Sequence, residues 1–489
     1  MSKIKGNSIG KNVFHLFYST ALTSALNASS LIVLAYYLQS YHYGMFSVVL
    51  AFSMIMGYFT DAGLSEIVLR EGSKKDVHLT SIISSYIKMR AILLVVTFIV
   101  GFSLIEAFHS ENAEMLRMAY ILAIPMVIGL AMQSIGTTFF QLTERMQYSG
   151  LIRITSAVCL ISTISVGMLL SLNPIILAFL YGASYLIAGT IGVYLVSKNI
   201  PIRFQSKFHK GLLQNLGSFT LGGLLFVILP HLGPIILEKT LTLKEVGYFA
   251  VAYRIPQALQ QIPFIVAGAY YPVLFRFFNN RQDNEHLSLM RTQLKIMAIV
   301  GMFMTIPFYH MSEWIIQTLF GAEWLFAAAP LKILSVMLTL QAVGIALADG
   351  LTTRALQFQR MMVQFLAVLI GVMLYTVLSK EYGIIGAAYS GVTIELVALM
   401  GFWIFTPRRL HLAKKVLIPY LTFFGATLYL TGRIFPGYPF IAAVLHLLLV
   451  IGAVILDKEL KNMIGKFIGK YVPYRKWKAE KIREVENEL

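Results

Sequence analysis

A single cysteine in 489 residues, Cys159, placed inside an apolar run, leaves no disulfide framework, zinc cluster or thiol relay to consider. Charge is equally scarce. Asp, Glu, Lys and Arg make up 13% of the chain, against roughly 25% in an ordinary soluble domain. No Walker-type glycine loop occurs, so nothing points to ATP hydrolysis as the driving force. Nor is any polar stretch long enough to hold a nucleic acid or a soluble catalytic domain. That removes the usual meaning of a basic excess, here 40 Lys and Arg against 23 Asp and Glu with a pI near 9.7. What abounds is apolar: 57% of the residues are hydrophobic, with 33 Phe, 25 Tyr and 22 Met, too many large side chains for a disordered chain. A mean hydropathy of +0.72 completes the picture of an all-α polytopic membrane protein.

A helix needs roughly 20 apolar residues to cross about 30 Å of hydrocarbon. About fourteen such runs occur, near 12–38, 44–69, 82–106, 118–142, 150–171, 174–197, 214–237, 246–272, 293–319, 328–352, 361–379, 383–406, 414–431 and 438–456. The first follows Lys3, Lys5 and Lys11, as in a signal peptide, but it is too long, is interrupted by Asn27 and lacks a small-residue cleavage site; it reads as a retained helix. With both termini in the cytoplasm, 33 of the 40 basic residues fall in inside segments, six in outside loops, and Arg254 in neither. This is the positive-inside pattern, and it assigns most of the net +17 to loops on the cytoplasmic leaflet. The tail from residue 458 alternates Lys461, Lys466 and Lys470 with Met463, Ile464, Phe467 and Ile468, the pattern of a helix lying on an anionic surface.

A shift of 203 residues, without a gap, aligns the first and seventh runs in the same orientation, with Leu22 on Leu225, Ile32 on Ile235, Gly44 on Gly247 and Phe46 on Phe249. The best matched stretch pairs Tyr43-Gly44-Met45-Phe46 with Val246-Gly247-Tyr248-Phe249. The organisation expected is therefore two pseudo-symmetric six-helix lobes, residues 1–200 and 201–410, followed by two further spans at 411–457 and the basic tail, 458–489. Tyr43-Gly44-Met45-Phe46, followed by Asp61-Ala62-Gly63-Leu64-Ser65 and Arg70, resembles the second-helix signature of bacterial polysaccharide flippases of the Wzx type, within the multidrug/oligosaccharidyl-lipid/polysaccharide exporter superfamily. Glu245 to Arg254, with Pro263 and Tyr271-Pro272, resembles the matching eighth-helix segment, and Glu381 to Ala388 the start of the twelfth helix. The resemblance implies two lobes around a central cavity. It also implies translocation of undecaprenyl-diphosphate-linked oligosaccharide from the cytoplasmic to the outer leaflet of the bacterial inner membrane, for O-antigen, capsule or exopolysaccharide. A polysaccharide polymerase and glycosyltransferases are the partners such a protein would have.

Charges within the spans carry the residue-level expectations, because a centred charge costs roughly 2.5–3.5 kcal/mol on insertion scales. Arg254 lies eight residues into its span, about 12 Å deep. Its guanidinium fork suits a diphosphate or an acidic sugar; alternatively it ties helices together in an ion pair, for which Glu395, at similar depth, is the partner to expect. Gln257 and Gln261 share the face of Arg254 and give the eighth span a polar stripe, with Gln260 beside it; Gln133 and Gln141 add amides suited to sugar hydroxyls. Arg70 and Arg90 are placed at the cytoplasmic mouth, where either would meet the diphosphate or merely serve the positive-inside rule. Asp61 and Asp349 stand between a gate or ion site and helix packing, and Asp349 shares its depth with Arg354. His231, between Pro230 and Gly233-Pro234, marks a hinge or ion site in a broken seventh helix. The other histidines, His15, His310 and His446, have no partner at helical spacing, so no metal is expected. No cofactor is expected either, and coupling to a proton or sodium gradient is left open. The competing functions are a lipid II flippase, a small-molecule exporter and a multi-span glycosyltransferase or polymerase; the last would need a larger outside loop than the dozen or so residues present.

Overall fold

The computed structural model describes residues 9–74, 78–202, 208–214, 216–457 and 459–461. Ten helices in it are long and apolar enough to cross a membrane, and no strand occurs among the described residues. Two of the ten each hold two of the expected runs. Helix α1 (Ile9–Phe59) is continuous but for Gln39, whose φ of 58° separates the first run from the second. Far along the chain Gly383, at φ 59°, divides α13 (Gln357–Phe405) in the same way. After α1, the positive φ of Ala62 and Gly63 turns the chain into α2 (Leu64–Gly72). Then come α3 (Leu79–His109), α4 (Ala113–Leu142), α5 (Met146–Leu169), α6 (Pro174–Asn199) and α7 (Leu216–Leu237). The eighth run is divided into α8 (Leu243–Leu259) and α9 (Gln261–Asn279). The second half continues with α10 (Asp283–His310), α11 (Ser312–Phe320) and α12 (Ala328–Thr353), and ends after α13 with α14 (Arg409–Leu412), α15 (Ile418–Ile434) and α16 (Pro439–Leu456). The helices therefore do not count one for one with the fourteen runs: α1 and α13 each hold two, and α15 is only 17 residues long.

Helices α4 and α6 make the most extensive contact, and α1 and α5 lie against them. Lipid tails give apolar helices no hydrophobic reason to associate, so small residues and backbone proximity must hold the pair. Gly129 and Gly189 do this: a Cβ on Gly129 would strike the backbone of Tyr185 and Leu186, and one on Gly189 the carbonyl oxygen of Gly129, 2.7 Å away. In the second half α10, α12 and α13 pack in series, and α7 lies against both α13 and α1. Between the halves the main contact is α1 with α8.

The pair α15–α16 docks chiefly on α10. At the basic end Lys295 bonds to Asp457 at 2.7 Å and Glu459 at 2.9 Å, while Tyr420 donates to Asp457 at 2.8 Å. Burial alone would raise the Asp457 carboxyl; the hydrogen bonds from Lys295 and Tyr420 outweigh it and hold the group below its ordinary range. At the other end His310 and His446 meet, 3.2 Å apart, with Thr427 at 2.9 Å from His446. The absence of helical spacing between these two histidines was therefore no guide, since spacing detects partners on one helix only. No group of three or more potential metal ligands occurs among the described residues. The amphipathic basic tail lies beyond the described residues, apart from residues 459–461.

Candidate substrate cavity between the halves

Helix α8 starts at a capping box: the Thr242 hydroxyl accepts from the Glu245 backbone N–H, and Glu245 accepts from the N–H of Thr242 at 2.9 Å. Two turns further, Arg254 projects on the same face as Gly247. It enters a cavity of about 510 Å³ bounded by α1, α6, α7, α8, α9, α10 and α11. Arg254, Gln257, Gln261, His231 and Asn27 form its polar lining, and Leu31, Leu50, Met54 and Phe320 an apolar wall. The hydroxyls of Tyr43, Tyr181 and Tyr185 lie within electrostatic reach of Arg254. One guanidinium nitrogen donates to the Gln257 side chain at 2.8 Å. No carboxylate of the described residues pairs with it. Glu395, the partner expected from depth, instead accepts from Gln341 at 2.8 Å; equal depth on two helices does not bring their faces together.

Beside the cavity the two halves meet backbone to backbone. Gly44 and Gly247, equivalent under the 203-residue shift, cross back to back: a Cβ on Gly44 would overlap the carbonyl oxygen of Leu243, and one on Gly247 that of Ser40. Ser40 and Leu243 are themselves equivalent, so the contact is reciprocal, as at a two-fold interface. Trp324, 1% exposed, packs edge-on against Tyr43 and Tyr248, each 5.8 Å between ring centres. A polar clasp lies at the same end of the helices, with His109 3.1 Å from Glu238 and Lys239 donating to the carbonyl of Phe108 at 2.8 Å. Burial alone would raise the Glu238 carboxyl, but His109 and Lys239 together keep it below its usual range.

Two further polar groups flank the cavity. In the first half, Arg90 is 2% exposed and pairs with Asp61, while the Ser65, Tyr86 and Ser134 hydroxyls complete the cluster and Thr60 accepts from Arg90 at 3.0 Å. Arg90 is therefore a buried tie from α3 to α4 and to the turn between α1 and α2, not a residue at the mouth. Removing one partner of a buried pair costs about 3–5 kcal/mol. Arg90→Leu is accordingly expected to lower the melting temperature in detergent and deplete the protein from membranes. A variant that melts normally yet fails in transport would give the cluster a functional role instead. In the second half a chamber of about 230 Å³ adjoins the cavity, with Gln257 and Gln261 lining both. Glu395, Asp349, Arg360, Gln341 and Gln364 face it.

A sequence model described as "polysaccharide biosynthesis protein" matches residues 9–278, more than half of the chain. The chain belongs to this family. No curated protein matches its sequence. The family member's fold is that of known transporters. A structure described as lipid II flippase MurJ in an inward closed conformation superposes with a TM-score of 0.64 at 12% identity, over 91% of this chain and 99% of that one. An inward-facing multidrug resistance MATE transporter of the MOP superfamily gives 0.67 at 14%, over 81% and 96%. A MOP superfamily transporter from Pyrococcus furiosus, described as having a binding pocket of reverse polarity, gives 0.57 at 13%, over 85% and 99%. These likenesses, with ten apolar helices, make this family member a multi-pass membrane protein with a transporter fold.

Within that fold the remaining expected residues fall apart into different roles. Gln133 does not reach the cavity; it donates to the Tyr185 carbonyl at 2.9 Å and to Ser156 at 3.3 Å, joining α4 to α6 and α5. Gln141 is exposed at the end of α4. Arg70 donates to Glu71 and to the Gln214 carbonyl, both at 3.2 Å, linking α2 to the connection before α7. Asp349 accepts from Gln293 at 3.0 Å, whereas Arg354 takes Asp283 at 3.3 Å and His286 at 3.2 Å, so their shared depth conceals separate partners. The expected break at Pro230–Pro234 does not occur, because α7 runs through both prolines. The interruption lies at Gln260 in the eighth run, where Pro263 has no N–H to give and its ring crowds the Leu259 carbonyl. Missed in the sequence were the cavity tyrosines, Tyr181 and Tyr185, and the chamber residues Gln341, Gln364 and Arg360. Gln341 and Gln364 were visible as isolated amides within apolar runs.

Proposed function

We propose that this protein is a flippase for undecaprenyl-diphosphate-linked oligosaccharide, moving it from the cytoplasmic to the outer leaflet by alternating access for surface polysaccharide assembly. The observation that carries the reading is Arg254, a membrane-embedded cation without a carboxylate partner, in a cavity with hydrogen-bonding and apolar walls. Such a cation is stabilised when an anion enters, and a guanidinium fork matches the oxygens of a diphosphate. Amides and tyrosine hydroxyls suit the sugars, and the polyprenyl chain stays in the bilayer. The family match to polysaccharide biosynthesis favours this cargo over lipid II or a drug. Transport is electrogenic or coupled to a proton or sodium gradient, and the polymerase and glycosyltransferases of the same assembly line are the partners.

The test is reconstitution into proteoliposomes with fluorescent undecaprenyl-diphosphate oligosaccharide, lipid II or a cationic dye. Protein-dependent exchange of the first alone supports the reading, and exchange of either of the others in its place overturns it. The proposed setting is a bacterial inner membrane with both termini in the cytoplasm, an orientation that the basic loops support. Cysteines introduced at Glu111 and Gly437 are expected to react with an impermeant maleimide in intact cells, and one at Lys74 only after permeabilisation. The reverse pattern inverts the orientation.

A further inference from the structure

The chamber beside the cavity has a composition that helix packing does not require. Five glutamines line it: Gln257, Gln260, Gln261, Gln341 and Gln364. An amide in hydrocarbon surroundings without hydrogen bonds costs several kcal/mol, so each should have found a protein partner if its purpose were structural. Gln341 is 5% exposed and uses its N–H on Glu395, yet its amide oxygen is buried with no partner among the described residues. Glu395 receives that one hydrogen bond and no cation. The Arg360 guanidinium is engaged with the Thr352 hydroxyl at 2.8 Å. The volume, about 230 Å³, is below the roughly 300–1,000 Å³ of pockets for drug-sized ligands, which suits a single ring and not an oligosaccharide. Gln257 and Gln261 belong to both spaces, so a group lodged here is covalently within reach of one held by Arg254.

We propose that this chamber is a sugar subsite that takes an uncharged, hydroxyl- and acetamido-bearing ring of the cargo, and that Glu395 makes it reject acidic sugars. The inference rests on the flippase reading above and specifies its substrate class. Amides both donate and accept, which matches sugar hydroxyls and an acetamido group, and the free oxygen of Gln341 is ready for a donor from the ring. A uronic acid would add a third carboxylate to a chamber that already holds Glu395 and Asp349 against the one guanidinium of Arg360, and like charges at that range disfavour each other. Division of labour follows: Arg254 holds the charge common to every polyprenyl diphosphate, and the chamber reads the sugar.

The experiment is binding by native mass spectrometry to the full chain in nanodiscs. Three probes are used: undecaprenyl diphosphate, undecaprenyl-diphospho-N-acetylglucosamine and undecaprenyl-diphospho-glucuronic acid. The wild type is expected to bind the N-acetylglucosaminyl lipid about tenfold more tightly than either other probe. Gln341→Leu and Gln364→Leu should each erase that gain and leave undecaprenyl diphosphate unaffected, which also shows that the variants are folded. Glu395→Gln should raise affinity for the glucuronyl lipid by about tenfold. Equal binding of all three probes by the wild type, or a gain that survives both leucine variants, overturns the subsite while leaving the flippase intact. Failure of undecaprenyl diphosphate itself to bind, in wild type and Arg254→Ala alike, overturns the flippase reading as well.

Discussion

Replacing Arg254 with alanine is expected to abolish surface polysaccharide while the protein accumulates to its normal level. The two halves of that result have separate causes. Arg254 has no ion partner and hydrogen-bonds one amide, Gln257, which can turn to water in the cavity. Its loss therefore strands no buried carboxylate, unlike the loss of Arg90, which would leave Asp61 alone. A diphosphate brought into the same space without its cation is stranded. Removing one member of such a desolvated pair costs about 3–5 kcal/mol, or roughly two to three and a half orders of magnitude in affinity at 1.4 kcal/mol per decade. Arg254→Lys should recover only part of the activity, because an ammonium supplies charge without the bidentate fork. The measurements are surface polysaccharide in cells whose only copy is the variant, immunoblotted membranes, and exchange in proteoliposomes. Full transport by the alanine variant would remove Arg254 from cargo binding.

The contrast between Arg254 and Arg90 shows what the sequence can carry. Both stand out as guanidinium groups within or beside apolar runs, and the stripe formed by Arg254, Gln257 and Gln261 was legible because all three lie within one apolar run at fixed spacing, although the structure sets Gln261 at the start of α9. Partners on different helices were not. Asp61, in the turn between α1 and α2, and Arg90, on α3, are 29 residues apart, and nothing in their spacing announces that they meet. Glu395 was assigned to Arg254 because both lie deep, but azimuth about the helix axis decides contact as much as depth does, and Gln341 faces Glu395 instead. His310 and His446 meet although 136 residues separate them. The course of the chain was easier to read, since apolar runs and basic loops are local properties. Its interruptions were not: two prolines failed to break α7, because neighbouring helices re-satisfy freed carbonyls in such packing, and the break fell at Gln260. The internal repeat was weak as a count of identities and became physical only when its two best glycines were found in contact.

That contact yields the second large effect. In the orientation proposed above this is the outer end of the cavity, and Gly44→Val, Gly247→Val and the double variant are expected to keep it from closing. Any side chain at either position meets a carbonyl oxygen of the opposing helix, Leu243 in one case and Ser40 in the other, and backbone cannot swing aside as a side chain tip would. Separation of α1 from α8 then has to occur along the crossing, which takes Tyr43 and Tyr248 away from Trp324 and opens the clasp of Glu238 with His109. Reciprocity makes the two single variants equivalent, and a transporter that must close this end once per cycle loses turnover in both. A cysteine at Asn27, in the wall of the cavity, is the reporter: it should react with an impermeant maleimide from outside far faster in either valine variant than in the parent, with transport falling in parallel. Unchanged labelling together with full transport would mean that the glycine crossing is not the seal. If only one of the two variants labels faster, the pseudo-two-fold relation holds in sequence but not in the movement of the lobes.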